Sequence, residues 1–353
     1  VKRSRLILTI LIFAGSIFSL FFLFDGPYLA GQGFKMLMLR RGMQNVEELV
    51  ENGSVDEETE EFFELTAEIR RFAFDELGLE DTKSYRSYIE TERDHIVDVV
   101  SAVRSDSLER YTKWYPLVGR VFYRGYFTRE AAETFAAKRK KNGYDVLVRE
   151  VDAYSSLGLI SDPLYSYMKS YGDYALAEMI IHEMVHSSLW LPGHNEFNEE
   201  IAVFIGREGA MEFIRRRGAE EHRLQEIAAH RRDYESLLVF FRRLYRRLET
   251  EYETTPTAAE RLRIKEEILS EEKRSFEENY SRLFSTERYR RLLDIEWNHA
   301  LIDLYLQYGA ELDLYYRLLE QSGGDIGRVT ERILSIDKKS KDPRAELATF
   351  TES

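Results

Sequence analysis

His182-Glu183-Met184-Val185-His186 is an HExxH pentapeptide, and the rest of the chain is read outward from it. On a helix, positions i and i+4 project from one face, so the two imidazoles can ligate one zinc ion. Glu183 follows the first of them directly and can take a proton from a water that the metal acidifies. The surrounding pattern predicts a helix from about Tyr174 to Trp190, stopped before Pro192-Gly193. A second helix is expected from near Asn198 to Arg217. Upstream, short β-rich runs at Val121 to Phe127, Asp145 to Val151 and Tyr154 to Ile160 predict a small sheet, with a helix from Arg129 to Lys141 between the first two.

From Phe34 to about Val103 the pattern reads as helical, with Gly78 stopping one helix and Thr82 to Ser84 opening the next. Beyond Glu221 the sequence becomes long charged helix, broken at Thr254-Thr255-Pro256-Thr257, which predicts a helical hairpin over residues 222–287 whose charges form a solvated face. A further helix is expected from Arg290 to Gln321, and the polar tail over 338–353 is expected to fray. The expected fold class is therefore α+β, mainly α: a zincin-like core over residues 32–337 with a small sheet before the HExxH helix, and an N-terminal transmembrane helix.

That last element rests on Lys2, Arg3 and Arg5 before an apolar run from Leu6 to Phe24, long enough to cross a bilayer core. Residues 1–31 then act as a membrane anchor, a cleaved signal peptide being the competing reading, and the bulk is expected outside the cytoplasm. A net charge of −13 argues against nucleic acid as partner. The chain has no cysteine, so neither disulfides nor thiolate zinc sites are possible, and His, Asp and Glu are left as the strong ligands.

A catalytic zinc needs a third protein ligand and one open position. In metzincins a Gly stands three residues after the second His and the third His six after; here those positions hold Leu189 and Pro192, and His194 falls too late, so it reads as a loop residue. Glu196, Glu199 and Glu200 are nearer. Glu199 shares a helix face with Ala202, Gly206 and Ala210, small residues that permit close packing against another helix, whereas Glu200 lies with Phe204 and Arg207. Glu199 is the preferred third ligand and Glu200 the alternative. Asn198-Glu199 also resembles the Asn-Glu that opens the ligand helix of glutamate-type zincins.

More broadly, the sequence resembles a bacterial family of zinc-dependent aminopeptidases with a gluzincin-like site. The resemblance is carried by Ile69-Arg70-Arg71-Phe72-Ala73, Ser84-Tyr85-Arg86-Ser87-Tyr88, Tyr123-Arg124-Gly125-Tyr126-Phe127, Ala153-Tyr154-Ser155-Ser156-Leu157-Gly158, the HExxH and Phe197-Asn198-Glu199-Glu200-Ile201-Ala202. Asp162-Pro163, Asn298-His299-Ala300 and Gly323-Gly324-Asp325 also fit. It implies Zn2+ held by His182, His186 and Glu199, Glu183 as catalytic base, and peptide substrates. Relatives often carry cysteines where this chain has Tyr115 and Arg120, so a bridge there is absent.

The expected reaction is peptide-bond hydrolysis, which also calls for an oxyanion donor. Tyr305, Tyr308, His299 and Arg124 are the candidates, with Tyr308 first because a Tyr recurs about there in the resembled family. A partner acid for the histidines is expected too; the Asp that often follows a gluzincin glutamate by four residues is replaced by Val203, leaving Glu178 as a substitute. The segment Tyr154 to Ile160 is a candidate cleft edge for an extended peptide, with a plain core strand as the alternative. Gly209-Ala210-Met211-Glu212-Phe213 looks like an amine-binding motif of another aminopeptidase family but falls inside the second helix, so it is read as coincidence. An envelope endopeptidase, or an anchored helical scaffold with a structural metal, are the competing readings.

Overall fold

The computed structural model describes residues 25–115, 119–151, 161–307 and 312–351. The chain enters through α1 (Gly26–Arg40), a two-residue strand β1 (Gln44–Asn45) and α2 (Val46–Glu51). The next helix, α3 (Glu57–Asp75), starts where Asp56 accepts the Thr59 N–H at 2.9 Å, with Glu57, Glu58 and Glu60 at the positive end of the helix dipole. It buries Phe62, Thr66, Ile69 and Ala73, a stripe at helical spacing, and Gly78 (φ 68°) turns the chain out of it.

Residues 82–104 do not form the expected helix. Ser87–Ile89 is strand β2 and Val97–Arg104 is strand β3. Val97, Val99, Val100 and Val103 are all buried, so β3 is covered on both faces and lacks the alternation that marks a half-exposed strand. A hairpin follows, β4 (Lys113–Tyr115) with β5 (Gly119–Val121), then β6 (Tyr123–Tyr126), α4 (Arg129–Lys141), β7 (Tyr144–Val151) and β8 (Leu164–Tyr165). β3 is the centre of an antiparallel sheet in the order β6-β3-β7, and α4 packs Ala132 and Ala136 against it. A second small sheet, β1-β2-β8, pairs β2 with β8 in parallel. The proposed cleft edge, 154–160, lies outside the described residues.

Two helices follow that carry the HExxH and its neighbours: α5 (Asp173–Ser188) and α6 (Asn195–Arg216). Both lie in the main core, with Ile180, Ile181, Val185, Ile201, Ala202 and Ile205 fully buried. Beyond them α7 (Glu221–Thr254) and α8 (Ala258–Glu278) form a hairpin around Phe240, Phe241, Leu244, Leu248 and Phe276, with Thr257 capping the second arm. Asp233 of α7, 3 % exposed, accepts the backbone N–H and hydroxyl of both Ser285 and Thr286 at 2.7–2.8 Å. Burial opposes its charge, but these donors outweigh it and hold the carboxyl below its ordinary range.

The C-terminal part differs from expectation in two places. The helix expected over Arg290 to Gln321 is broken. The Trp297 indole donates to the Leu292 carbonyl at 2.8 Å and Asn298 accepts the Leu301 N–H at 3.0 Å, starting a fresh helix. After α9 (Tyr280–Leu283) come α10 (His299–Gln307), α11 (Asp313–Gln321) and α12 (Ile326–Leu334). The tail also folds: Asp342 caps α13 (Pro343–Ala348), whose Leu347 is fully buried. The transmembrane helix expected at the N-terminus is also corrected. No helix among the described residues is long and apolar enough to cross a membrane, and the run Leu6 to Phe24 lies outside them.

Two consequences can be measured. A Cβ at Gly206 would stand 3.0 Å from the Glu178 carbonyl and 3.2 Å from the His182 Cβ. Gly206→Ala should therefore destabilise the fold by about 1–3 kcal/mol in urea unfolding, against the usual gain of a glycine-to-alanine change in a helix. Asp233→Ala, which strands four donors, should cost about 2–4 kcal/mol at pH 7. Because the folded carboxyl is held below its unfolded value, the part of that difference that depends on the carboxylate's charge should be complete above about pH 4 and fade as the pH falls through the folded value, while the part due to the unpaired donors remains.

Candidate functional site

The apolar residues of α5 settle which way its polar residues point. Leu176, Ala177, Ile180, Ile181, Met184 and Val185 are buried in the core, and Tyr174, Glu178, His182 and His186 recur every fourth residue along the other side. The helix stops at Leu189, which is extended (φ −139°, ψ 118°), and Ser188 turns its hydroxyl to the Met184 carbonyl while accepting the Glu80 N–H at 2.9 Å.

The turn into α6 is held by one side chain. The Asn198 amide donates to the Leu191 carbonyl at 2.9 Å and accepts the Leu191 N–H at 3.0 Å, and Asn198 is fully buried. This two-bond clasp fixes the first turn of α6 against the end of α5, and Glu199 is the next residue. Gly206 and Gly209 continue the contact: a Cβ at Gly209 would meet Leu77 at 2.8 Å and Ile181 at 3.3 Å.

The clasp and the close helix contact bring three ligand-type atoms together. His182 Nε2 and His186 Nε2 are 3.1 Å apart, and Glu199 reaches them at 3.7 and 3.5 Å. Donor atoms on one tetrahedral zinc, each about 2.0–2.1 Å from it, stand about 3.3 Å apart. The triangle therefore fits a metal ion, and the donor set of two imidazoles and a carboxylate suits zinc. Burial pushes the His182 imidazole down to about 3, helped by His186 and Arg207 and opposed by the Ala202 backbone. Burial alone takes His186 down to about 4. Both rings are thus neutral at pH 7, the form in which imidazole binds a metal. Burial raises the Glu199 carboxyl, yet the side chain keeps 48 % of its exposure, so that among the described residues the triangle is open on the Glu199 side.

The other expected residues are placed elsewhere or otherwise engaged. Glu200 points away from the triangle, accepting the Tyr315 hydroxyl at 3.1 Å and pairing with Arg344 of the folded tail. Glu178 pairs with Arg207 at 3.4 Å rather than with a histidine. His194 sits just before α6, outside the triangle. His299 is 1 % exposed and committed to the Arg104 carbonyl and the Tyr252 hydroxyl at 2.8 and 2.9 Å, so it holds α10 to the sheet and hairpin. Tyr305 stacks on Phe241 at 4.6 Å, and Arg124 pairs with Asp25 while lying 3.9 Å over the Tyr28 ring. None of these three serves the triangle. Tyr308 lies outside the described residues. Glu212, within the motif read as coincidence, pairs with Arg215 and Arg216 on the surface.

Two features went unnoticed in the sequence. Asp94, His95 and Glu150 also cluster, but Arg129 supplies a cation there by pairing with Asp98 and Glu150. Tyr85 is the other: it is buried and has a left-handed backbone (φ 61°), and burial, with the charge of Glu183 next, raises its phenol well above the ordinary range. Its only sequence signal is membership of the Ser84 to Tyr88 stretch.

No curated protein and no solved structure matches the chain significantly. A family model described as "Putative aminopeptidase" matches residues 27–347, a span that takes in α5, α6 and the tail residue that holds Glu200. Its length leaves little of the chain outside the match, and the chain belongs to this aminopeptidase family.

Proposed function

We propose that the chain is a zinc-dependent peptidase, acting as an aminopeptidase, with His182, His186 and Glu199 as metal ligands and Glu183 as general base. The observation that carries this reading is the convergence of one ligand atom from each of the three residues to within 4.8 Å of one another, with the Glu199 side chain half-exposed. Membership of the aminopeptidase family supports peptide hydrolysis, and the two neutral imidazoles with one carboxylate support zinc in particular. Zinc bound there would act as a Lewis acid on the scissile carbonyl and bring the pKa of a water towards neutrality.

The chain's own residues then do the rest. Glu183 is adjacent to His182 in sequence and on the same helix, so its carboxylate is carried on the rigid element that carries both histidines. It accepts the proton of the attacking water and hands it to the departing amine, which leaves as a neutral group. The Asn198 clasp and the Gly206 contact hold Glu199 opposite the histidines without occupying the open side. That opening suits a hydrolytic site, since structural zinc sites are closed by four protein ligands.

Glu183→Gln should keep the metal and the fold while lowering kcat on a free peptide by at least about 1000-fold, as expected for loss of a general base together with its charge. The same assay run on N-acetylated copies of the peptide tests the exopeptidase part: they should turn over at background rate. Equal turnover of blocked and free peptides favours the endopeptidase reading, and full activity in Glu183→Gln overturns the mechanism.

A further inference from the structure

The second ring nitrogen of His186 is the odd feature of the triangle. Both imidazoles turn Nε2 towards Glu199, which leaves each Nδ1 to be satisfied from behind. A metal-bound imidazole ordinarily donates that second N–H to a carboxylate or carbonyl, which fixes its tautomer and tilt. His186 is 4 % exposed, and its Nδ1 is buried with no hydrogen-bond partner among the described residues. Its ring instead meets two others edge to face. His182 stands with its centroid 4.8 Å away, and Trp190 at 5.7 Å with the two planes 70° apart. His182 is the fellow ligand, so the outer support of the His186 ring is Trp190.

Trp190 is placed by the same turn that places Glu199. On one side of it the Leu189 N–H donates to the Val185 carbonyl at 2.9 Å, closing α5. On the other, the Asn198 amide clasps both backbone groups of Leu191. Both flanking leucines are buried, whereas Trp190 is half-buried and lies against the His186 ring. We propose that Trp190 is a positioning residue for the metal site, its indole fixing the tilt of His186 where other sites use a hydrogen bond. Edge-to-face packing suits that task, because the positive edge of one ring rests on the negative face of the other and tilting loses the contact. This inference rests on the peptidase reading given above, since it concerns the metal which that reading requires.

Zinc affinity of the purified full chain, measured by competition with a chromophoric chelator, tests this without an activity assay. Trp190→Leu keeps an apolar side chain but no ring, and should weaken zinc binding about tenfold or more while the zinc-free chain stays folded by circular dichroism. Trp190→Phe restores an aromatic ring and should recover most of the lost affinity. It also removes the one indole that touches a ligand among the described residues, since Trp114 lies on β4 and Trp297 in the hairpin core. Zinc should therefore change the tryptophan emission of the wild type and leave that of Trp190→Phe unchanged, a test that stands even if Trp190→Leu does not fold. Wild-type affinity in Trp190→Leu, no recovery in Trp190→Phe, or an emission that responds to zinc equally in wild type and Trp190→Phe overturns the positioning role and leaves the peptidase reading standing. If the wild-type chain binds no zinc, the reading and the positioning role fall together.

Discussion

The site depends on how closely α5 and α6 approach each other. At Gly206 the two backbones come near enough that a single methyl group would press on the Glu178 carbonyl at 3.0 Å. Without that approach, a carboxylate on α6 could not come within 4 Å of two imidazoles on α5. The Asn198 clasp acts on the same contact from its other end. A buried primary amide offers a donor and an acceptor to one backbone residue, so the turn is fixed in two hydrogen bonds that water does not compete for. The glycine sets the distance between the helices and the asparagine sets the phase of α6, and together they decide that Glu199 and not Glu200 faces the histidines.

Electrostatics follow from this packing. Burial makes the charged form of each imidazole expensive, so both rings present lone pairs and neither repels a cation. Glu199 supplies the one formal negative charge of the triangle, and its half-exposed side chain keeps the desolvation of that charge partial. Glu200, one residue on, is buried and is compensated by Arg344 and Tyr315 instead. Two adjacent glutamates thus serve different purposes: one faces the open triangle, and the other anchors the folded tail to the start of α6.

Much of this arrangement is written locally in the sequence. The i, i+4 histidines define a helix face without reference to anything distant, and the small residues Ala202, Gly206 and Ala210 distinguish Glu199 from Glu200 through packing volume alone. Gly78 ending α3 and the break at Thr254 to Thr257 are similarly local, because backbone conformation and capping chemistry depend on near neighbours. What was not legible depends on distant partners. The strand β3 is covered on both faces by residues far along the chain, so its valines show no period. His299 and Tyr305 look like polar donors until the sheet and hairpin close around them. Arg344 gives no sign in its own neighbourhood that it will meet Glu200, 144 residues away. The left-handed Tyr85 is the extreme case, since local preference at that position argues for glycine or asparagine.

The central claim is that one zinc ion is held by His182, His186 and Glu199 with Glu200 uninvolved. Elemental analysis of the purified chain after equilibration with zinc and desalting tests it most directly. The account expects about one zinc per chain in the wild type and in Glu200→Gln, and a loss of at least about tenfold in zinc affinity in Glu199→Ala. A wild-type chain that retains no zinc, or a Glu199→Ala chain that holds it as tightly as the wild type, would contradict the account.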